Sequence, residues 1–244
     1  MNLLISMART IWFWLSFWTL TSILFTLLIL TYAIFSIFAP TKKRLVAHRI
    51  ACLWGRLIFT INPGWSYELR STENLPKSGA VIVANHSSAM DICALMATNI
   101  QFRYLSKASV FKIPMIGSAM TWAGYVPIER GSKSSHKEAM DTSAEWIKKG
   151  VPMVFFPEGT RSLSGEVKEF KLGAFRLAQS TNVPIVPILI KGTNEMMKKK
   201  SIFPKPAHVI VEALPSAPIR EGEASSDFAN RIRTEIATGL KALS

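Results

Sequence analysis

The hydrophobic pattern divides the chain into an apolar N-terminal segment and a longer part in which short apolar runs alternate with amphipathic ones. Residues 11–40 contain no charged side chain, and this run exceeds the roughly 20 apolar residues that cross a bilayer core. Trp12, Trp14 and Trp18 cluster near one end, as aromatic residues do at a membrane interface. The pattern predicts a membrane helix, which either spans the bilayer or forms one arm of a hairpin embedded in one leaflet.

A basic amphipathic helix is predicted over residues 44–60. Its apolar face comprises Val46, Ile50, Leu53, Trp54 and Leu57, and its basic face comprises Arg44, His48, Arg49 and Arg56. We expect this helix to lie in the membrane interface rather than to pack on a globular core, because no acidic residue interrupts the cationic face. Residues 1–62 are therefore predicted to be membrane-associated, and residues 63–244 to form a separate domain.

Past the break at Asn62-Pro63-Gly64, strand-like and helical patterns alternate. Strands are predicted at residues 80–84, 124–128, 151–155, 183–190 and 209–213; helices are predicted at residues 89–97, 135–149 and 170–179, with a last helix capped by Ser226. Ser135 and Glu138 have the spacing of a capping box. The alternation predicts an α/β domain with a mostly parallel central sheet flanked by helices.

Composition narrows the range of partners. The 244 residues carry a net charge of +13, with 18% charged and 49% hydrophobic residues, which favours an anionic membrane surface over nucleic acid. No helix-turn-helix, zinc-finger or RNA-binding motif is present in the sequence. Lys42, Lys43 and Arg44 follow the apolar run, so a spanning helix would leave the domain on the cytoplasmic side. Cys52 and Cys93 lack metal or redox spacing and are expected to be buried thiols.

The first candidate for chemistry is the segment Asn85-His86-Ser87-Ser88-Ala89-Met90-Asp91, which follows the predicted strand at residues 80–84. A histidine held by a carboxylate can act as a general base towards a hydroxyl. Because the sequence has no G-x-S-x-G nucleophile elbow, we expect the attacking hydroxyl to belong to a substrate, which favours acyl transfer over hydrolysis. For the pair alone, the alternative is an aspartate that caps a helix near a surface histidine.

Two further motifs also follow predicted strands, and in open α/β sheets ligands bind beyond the carboxyl ends of the strands. These motifs are Glu129-Arg130-Gly131 and Phe156-Pro157-Glu158-Gly159-Thr160-Arg161-Ser162. Arg130 and Arg161 suit a phosphate or another anion, and Glu158 can accept a hydrogen bond from a hydroxyl or orient an arginine. Lys107 and Lys112 add positive charge. The convergence of three motifs predicts an anion-binding catalytic site at one edge of the sheet.

Together these motifs resemble the glycerolipid acyltransferase family, in particular bacterial 1-acyl-sn-glycerol-3-phosphate acyltransferases. His86 and Asp91 match the HxxxxD box, Arg130 the second block, residues 156–162 the FPEGTRS block, and residues 183–188 the fourth, proline-containing strand. Residues 107–117 and 170–175 also resemble family segments, and the resemblance extends over residues 67–214. The four residues inside the first box lack the aromatic residue that is often found there.

The resemblance implies transfer of a fatty acyl group from acyl-CoA or acyl-carrier protein to the sn-2 hydroxyl of lysophosphatidic acid, giving phosphatidic acid. His86 would act as the base and Asp91 would orient it. The implied substrate-binding residues are Lys107, Arg130, Glu158, Gly159, Thr160 and Arg161. No metal, other cofactor or covalent acyl-enzyme is implied, because the thioester is already activated. Backbone N–H groups near residues 85–88 are candidate donors to the thioester oxyanion.

The resemblance also implies a place at the cytoplasmic face of a bacterial inner membrane, with membrane lipids as partners and no nucleic acid. The acceptor stays open, since lyso-ornithine lipid, another lysophospholipid and glycerol 3-phosphate are alternatives within the same fold. A catalytically silent anion-binding module is the alternative from another class, and the intact pair of His86 and Asp91 argues against it.

Overall fold

The structure is a computed structural model that describes residues 3–129, 131–162, 166–197 and 201–243. Its helices are α1 (Leu3–Phe38), α2 (Lys43–Ile61), α3 (Asp91–Ala97), α4 (Ile116–Ala123), α5 (Lys133–Lys148), α6 (Gly173–Thr181), α7 (Thr193–Met196) and α8 (Ser225–Ala242). Its strands are β1 (Trp65–Arg70), β2 (Val81–Ala84), β3 (Arg103–Lys107), β4 (Val126–Ile128), β5 (Met153–Phe155), β6 (Ile185–Lys191) and β7 (Ala207–Ala213). The predicted α/β class is confirmed.

The strands form one sheet in the order β1-β7-β6-β2-β5-β3-β4. All neighbouring pairs are parallel except β6 and β7, which are antiparallel. The mostly parallel sheet predicted from the alternating pattern is therefore confirmed. Because β6, β2, β5, β3 and β4 run in the same direction, their carboxyl ends lie along one edge of the sheet, where ligands bind in such folds.

Side chains of the central strand β2 point alternately to two cores. Ile82 and Ala84 pack into a core with α1, α2, α3 and α4, whereas Val81 and Val83 pack into a core with α5, α6 and α8. All four residues are fully buried, as expected for a parallel strand that is covered on both faces. The N-terminal helices and α8 therefore lie on opposite faces of the sheet.

Helix α2 packs on the domain more closely than the sequence suggested. Gly55 faces α3 so tightly that a Cβ on Gly55 would lie 2.6 Å from the Cβ of Met96. His48, which we expected on the cationic outer face, is fully buried and contacts Tyr125 and the carbonyl oxygen of Ile100. The prediction that α2 lies in the membrane interface instead of packing on the core is wrong for this face. Arg49, Leu53 and Arg56 remain on an exposed face.

Two predicted helix caps are also wrong. Helix α5 begins at Lys133, and the Ser132 hydroxyl accepts the Ser135 amide at 3.2 Å, so Ser132 replaces the predicted capping box. Ser135 is turned the other way, because its hydroxyl accepts the Glu129 amide at 2.9 Å. Helix α8 begins at Ser225 with no side-chain cap. Both errors move a helix boundary and leave the topology unchanged.

Candidate active site

His86 and Asp91 form a hydrogen-bonded pair at the carboxyl end of β2. His86 Nδ1 lies 2.7 Å from Asp91 Oδ2, and Asp91 is fully buried at the first residue of α3. Because an ionised carboxylate only accepts hydrogen bonds, Nδ1 is the donor in this contact, and in the neutral imidazole Nε2 is then the nitrogen that can accept a proton. The His86 side chain is 23% exposed and lines the cavity described below, so the ring is accessible from that cavity.

The loop between β2 and α3 wraps around the aspartate. The amides of Ser87 and Ser88 donate to Asp91 Oδ2 at 2.8 and 2.9 Å, and the hydroxyl of Thr193 donates to Oδ1. The Asn85 side chain pairs with the backbone of Ile190 in both directions, at 2.8 and 2.9 Å, and so extends the contact between β2 and β6. This network fixes the carboxylate before any ligand arrives.

The same contacts change the expectation for the oxyanion donors. The amides of Ser87 and Ser88 are committed to Asp91, and the amide of His86 donates to Glu158 Oε1 at 2.7 Å. These three N–H groups therefore do not point at a thioester oxygen. The prediction that this loop supplies the oxyanion donors is wrong for these three residues.

Glu158 supports the backbone at His86 by accepting its amide. Its second oxygen accepts the Lys168 amide at 3.4 Å, so both carboxylate oxygens bind backbone amides. Burial raises the pKa of Glu158, and the amides of His86 and Lys168 oppose that shift in part. Glu158 is 6% exposed and does not line the cavity, which argues against the predicted direct contact with an acceptor hydroxyl.

The loop after β5 also supports the histidine from its ring face. The ring of Phe156 stacks on His86 with 4.3 Å between centroids and 25° between planes. The Ser162 amide donates to the His86 carbonyl oxygen at 2.8 Å. The imidazole is thus held by Asp91 at its edge and by Phe156 at its face, which limits its rotation.

A cavity of about 880 Å³ opens beside His86. Its polar end is lined by Lys107, Gly131, His136, Gly159, Thr160, Arg161 and Lys171. Lys107 ends β3, which lies between β5 and β4 in the sheet, so the strand order brings it beside the loops after β5 and β4. Of the cationic residues predicted here, Lys107 and Arg161 share the cavity with His86, Lys112 does not line it, and Arg130 lies outside the described residues.

Sequence reasoning missed three residues of this site. Lys171, in the family-like segment at residues 170–175, lines the cavity together with Arg161. His136, near the start of α5, also lines the cavity. Thr193 contacts Asp91 from the end of β6. No spacing rule in the sequence links residues 91 and 193, because the contact depends on the pairing of β2 with β6.

The other end of the cavity is apolar. It is lined by Thr21, Leu24, Phe25 and Leu28 of α1, Ala47, Ile50, Ala51 and Trp54 of α2, Ala89 in the loop before α3, Ile92 and Met96 of α3, Val110 and Met115 in the segment before α4, Ile116, Ala119 and Met120 of α4, and by Tyr104, Leu105, Tyr125 and Ile128. A cavity lined by apolar side chains from the helices and by cations from the loops after β3 and β5 suits an amphiphile with an anionic head. His86 lines the same cavity and can act on a group bound beside it.

Three further titratable residues, His48, Cys52 and Cys93, take no part in this chemistry. Burial and the charge of Arg103 lower the pKa of His48 to about 3, so the ring is neutral. Burial raises the pKa of Cys52 to about 12 and, with the charge of Asp91, raises that of Cys93 to about 12. Both cysteines are free and buried, as predicted, and both are neutral thiols at physiological pH.

Comparison with known proteins gives a consistent picture. The family model described as Acyltransferase matches residues 66–191. The chain is 37% identical over 179 residues to a chloroplastic 1-acyl-sn-glycerol-3-phosphate acyltransferase of Brassica napus, covering 72% of this chain and 52% of the relative. It is 39% identical over 176 residues to a chloroplastic protein of that name from Arabidopsis thaliana, covering 71% of this chain and 49% of the relative. The chain thus spans about half the length of these relatives.

A solved structure shares the fold over the whole chain. The crystal structure of the 1-acyl-sn-glycerophosphate acyltransferase PlsC from Thermotoga maritima matches with a TM-score of 0.87 and 22% sequence identity. The match covers 100% of this chain and 98% of the other. It includes the N-terminal helices as well as the sheet, so the packing of α1 and α2 on the domain belongs to the shared fold.

Proposed function

Because the chain belongs to the Acyltransferase family, we propose that it transfers a fatty acyl group from a thioester donor to the sn-2 hydroxyl of 1-acyl-sn-glycerol 3-phosphate. The product is phosphatidic acid, and the donor is acyl-CoA or acyl-carrier protein. The observation that carries this proposal is the pair of His86 and Asp91 in the wall of a cavity with one cationic and one apolar end. The names of the similar plant proteins support the choice of acceptor.

In the proposed reaction, His86 Nε2 takes the proton of the acceptor hydroxyl while its oxygen attacks the thioester carbonyl carbon. When the tetrahedral intermediate collapses, the C–S bond breaks and the departing sulfur receives the proton that His86 returns. Asp91 orients the ring and offsets the charge of the imidazolium. General-base assistance of this kind contributes roughly 10²–10⁴ in rate, and positioning supplies more.

The acceptor phosphate would bind at the cationic end of the cavity. Lys107, Arg161 and Lys171 supply positive charge there, and the planar guanidinium of Arg161 can bind two phosphate oxygens at once. The predicted residues Gly159 and Thr160 line the same wall. Acyl chains would occupy the apolar end, between α1, α2 and α4, because burial of each CH₂ group contributes about 0.8 kcal/mol.

We also propose that α1 lies in one leaflet of the membrane and does not cross it. By length and composition α1 could cross a bilayer. Its contacts with the rest of the chain favour the other arrangement. Trp12 Nε1 donates to the Ile61 carbonyl oxygen at 2.9 Å, and Tyr32 stacks on Trp122 of α4 at 4.9 Å. Trp12 and Tyr32 are 20 positions apart, which corresponds to about 30 Å of helix and to the full thickness of a bilayer core. Over this length α1 stays in contact with α2 and the domain.

The distribution of exposed apolar side chains supports the same arrangement. In the described part of the chain, the large hydrophobic residues that are exposed outside α1 are Leu53, Ile113, Ile202 and Phe203. Two of these residues lie beside α1. Leu53 is next to Trp54, whose Nε1 donates to the Thr21 hydroxyl of α1, and the Ile202 carbonyl oxygen accepts a hydrogen bond from Trp14 Nε1 at 3.0 Å. Lys42 and Lys43, beside the end of α1, suit the anionic surface of a cytoplasmic leaflet.

The activity is tested with the full chain in detergent, labelled acyl-CoA or acyl-carrier protein, and a panel of lysolipids with and without a phosphate monoester. We expect turnover with 1-acyl-sn-glycerol 3-phosphate, and loss of at least 10²-fold in His86→Ala. His208→Ala is the matched control, because His208 is exposed and bonds to Ser66 and Glu68 away from the cavity. Turnover only with a phosphate-free acceptor, or full activity of His86→Ala, would contradict the proposal.

The membrane arrangement is tested by cysteine labelling in sealed vesicles. Ser6→Cys and Thr41→Cys place single reporters near the two ends of α1, while the native cysteines Cys52 and Cys93 are buried. If α1 lies in one leaflet, a membrane-impermeant maleimide added from one side modifies both reporters or neither. Modification of one reporter from each side would mean that α1 spans the bilayer.

A further inference from the structure

Thr193 holds the oxygen of Asp91 that does not face the histidine. The Thr193 hydroxyl donates to Asp91 Oδ1, while His86 Nδ1 and the amides of Ser87 and Ser88 bind Oδ2. Thr193 and Asp91 are both fully buried. Since the one hydroxyl proton of Thr193 points to Asp91, the neighbouring Ser87 hydroxyl, 3.1 Å away, is the donor in its contact with Thr193. The directions of both hydroxyl groups are therefore fixed.

The backbone before Thr193 places it there with little freedom. Strand β6 ends at Lys191, and Gly192 then adopts a φ of +88°. A Cβ on Gly192 would lie 2.0 Å from the carbonyl oxygen of His208 on β7, so a larger residue does not fit. Strand β2 is the neighbour of β6 in the sheet, so this turn at Gly192 directs Thr193 towards the loop that follows β2.

From this geometry we infer that Thr193 is a positioning residue for the proposed acyl transfer. Its hydroxyl fixes the plane of the Asp91 carboxylate and thereby the line from Asp91 Oδ2 to His86 Nδ1. Without that hydroxyl, a buried, charged oxygen loses its donor, and the carboxylate can rotate about its Cβ–Cγ bond. The imidazole then spends less time with Nε2 directed at the acceptor. The inference rests on the proposed function and adds a residue that contacts no substrate.

The test compares Thr193→Val, which keeps the shape but removes the hydroxyl, with Thr193→Ser, which keeps the hydroxyl. We expect kcat of Thr193→Val to fall about 10-fold to 100-fold, the range that corresponds to one hydrogen bond to a charged group. KM for the acceptor should change less than about twofold, and Thr193→Ser should keep most of the activity. Thr98→Val is the control. Thr98 is also buried, but its hydroxyl donates to the Leu95 carbonyl oxygen in the last turn of α3 and does not contact Asp91.

A double-mutant cycle separates action through Asp91 from a general structural role. In an Asp91→Asn background the Thr193→Val substitution should cost little more, because the carboxylate that Thr193 orients is gone. Equal loss in Thr193→Val and Thr193→Ser, near-normal kcat of a folded Thr193→Val, or fully multiplicative effects in the cycle would each overturn the inference.

A spectroscopic readout keeps this test separate from that of the activity itself. In protein labelled with ¹⁵N-histidine, the proton on Nδ1 of His86 should resonate far downfield because of its short bond to Asp91. That resonance should move or broaden in Thr193→Val and persist in Thr193→Ser and Thr98→Val. An inactive unmodified protein with this pattern would contradict the proposed function alone, whereas an unchanged resonance in Thr193→Val would contradict the role of Thr193.

Discussion

Lys171 occupies the space that a side chain at Gly159 would fill. A Cβ on Gly159 would lie 2.9 Å from the Lys171 ammonium nitrogen. The Lys171 amide donates to the Pro157 carbonyl oxygen at 2.9 Å, which holds the lysine backbone beside the loop after β5. The glycine of the FPEGTRS block therefore makes room for a third cation at the polar end of the cavity.

We predict that Lys171→Ala weakens binding of the phosphorylated acceptor. The substitution removes one of the positive charges that line the cavity and leaves His86 and Asp91 untouched, so KM should rise about tenfold while kcat changes less. Initial rates over a range of acceptor concentrations measure this, with Lys171→Arg expected to keep part of the affinity. Lys137→Ala is the control, because Lys137 pairs with Asp141 on the exposed face of α5. An unchanged KM in Lys171→Ala would exclude a contact with the phosphate.

Gly159→Ala should impair the same step by a different route. Gly159 has a φ of +70°, where a side chain costs about 1–2 kcal/mol, and the added methyl group would displace the Lys171 ammonium. We expect a raised KM for the acceptor, together with a fall of a few degrees in the thermal midpoint. Gly222→Ala separates the two effects, because Gly222 also has a positive φ of +71° but no neighbour within 4 Å of its Cβ position. That control should lose stability and keep the normal KM.

The hydrogen bonds from the His86 and Lys168 amides to Glu158 give a third prediction. Both carboxylate oxygens of Glu158 accept backbone amides, whereas a glutamine offers one carbonyl oxygen and would turn an N–H₂ group towards the other amide. Glu158→Gln should therefore lose about 1–3 kcal/mol of stability and should also lower kcat through displacement of His86. Thermal unfolding and initial rates on the same preparation measure both effects. Glu145→Gln, at an exposed pair on α5, should change neither, and an unaltered Glu158→Gln would mean that these amides find other acceptors.

The sequence was sufficient for the class of fold because its buried strands carry simple patterns. The predicted segments at residues 80–84 and 183–190 are uninterrupted apolar runs, and their ends lie within two residues of the ends of β2 and β6. Strand β3 was missed, since Arg103 at its start and Lys107 at its end hide the pattern. Arg103 is buried nonetheless, with its guanidinium stacked on Trp146 at 4.7 Å and bonded to the Phe102 carbonyl oxygen at 2.7 Å. Such a contact depends on tertiary structure and leaves no periodic signal.

Some residues of the candidate site could be predicted from the sequence, and others are brought to the site only by the folded chain. Residues within one short motif, such as His86 and Asp91, could be paired from the sequence once the motifs after two other strands pointed to the same site. Thr193 and Lys171 could not be assigned in this way. Thr193 reaches Asp91 because β6 is the neighbour of β2 and the chain turns at Gly192, and Lys171 reaches the cavity because Gly159 leaves room for its side chain. The sequence also assigned Glu158 to the substrate, although both its oxygens are taken by backbone amides whose directions only the folded chain defines.

Buried His48 should make the stability depend on pH. Its pKa falls from 6.5 to about 3 on folding, mainly through burial, so the unfolded chain binds more protons between these values. The stabilising contribution is complete above about pH 6.5 and is lost progressively as the pH falls towards 3, by at most about 1.4 kcal/mol per pH unit. Thermal midpoints at pH 7.5, 6 and 5 measure this slope. His48→Gln should flatten it, whereas His208→Gln, at an exposed site, should not.

The exposed apolar residues beside α1 give the last prediction. If Ile202 and Phe203 extend the surface of α1 into the leaflet, the double substitution Ile202→Asp and Phe203→Asp should weaken binding to vesicles, because burying charge in hydrocarbon is costly. Flotation of the full chain with anionic vesicles measures the bound fraction. Repulsion by anionic headgroups would contribute to the same result, so the assay is repeated with neutral vesicles.

A matched control places the same charge on the opposite face of the sheet. Asn230→Asp with Thr234→Asp adds two charges to α8, which packs into the core on the side away from α1. This variant should bind vesicles like the unmodified protein. If both double variants lose binding equally, the loss follows total charge and the segment containing Ile202 and Phe203 does not enter the leaflet. A loss confined to that segment in neutral vesicles requires direct contact with the acyl chains, since no headgroup charge is then present to repel it.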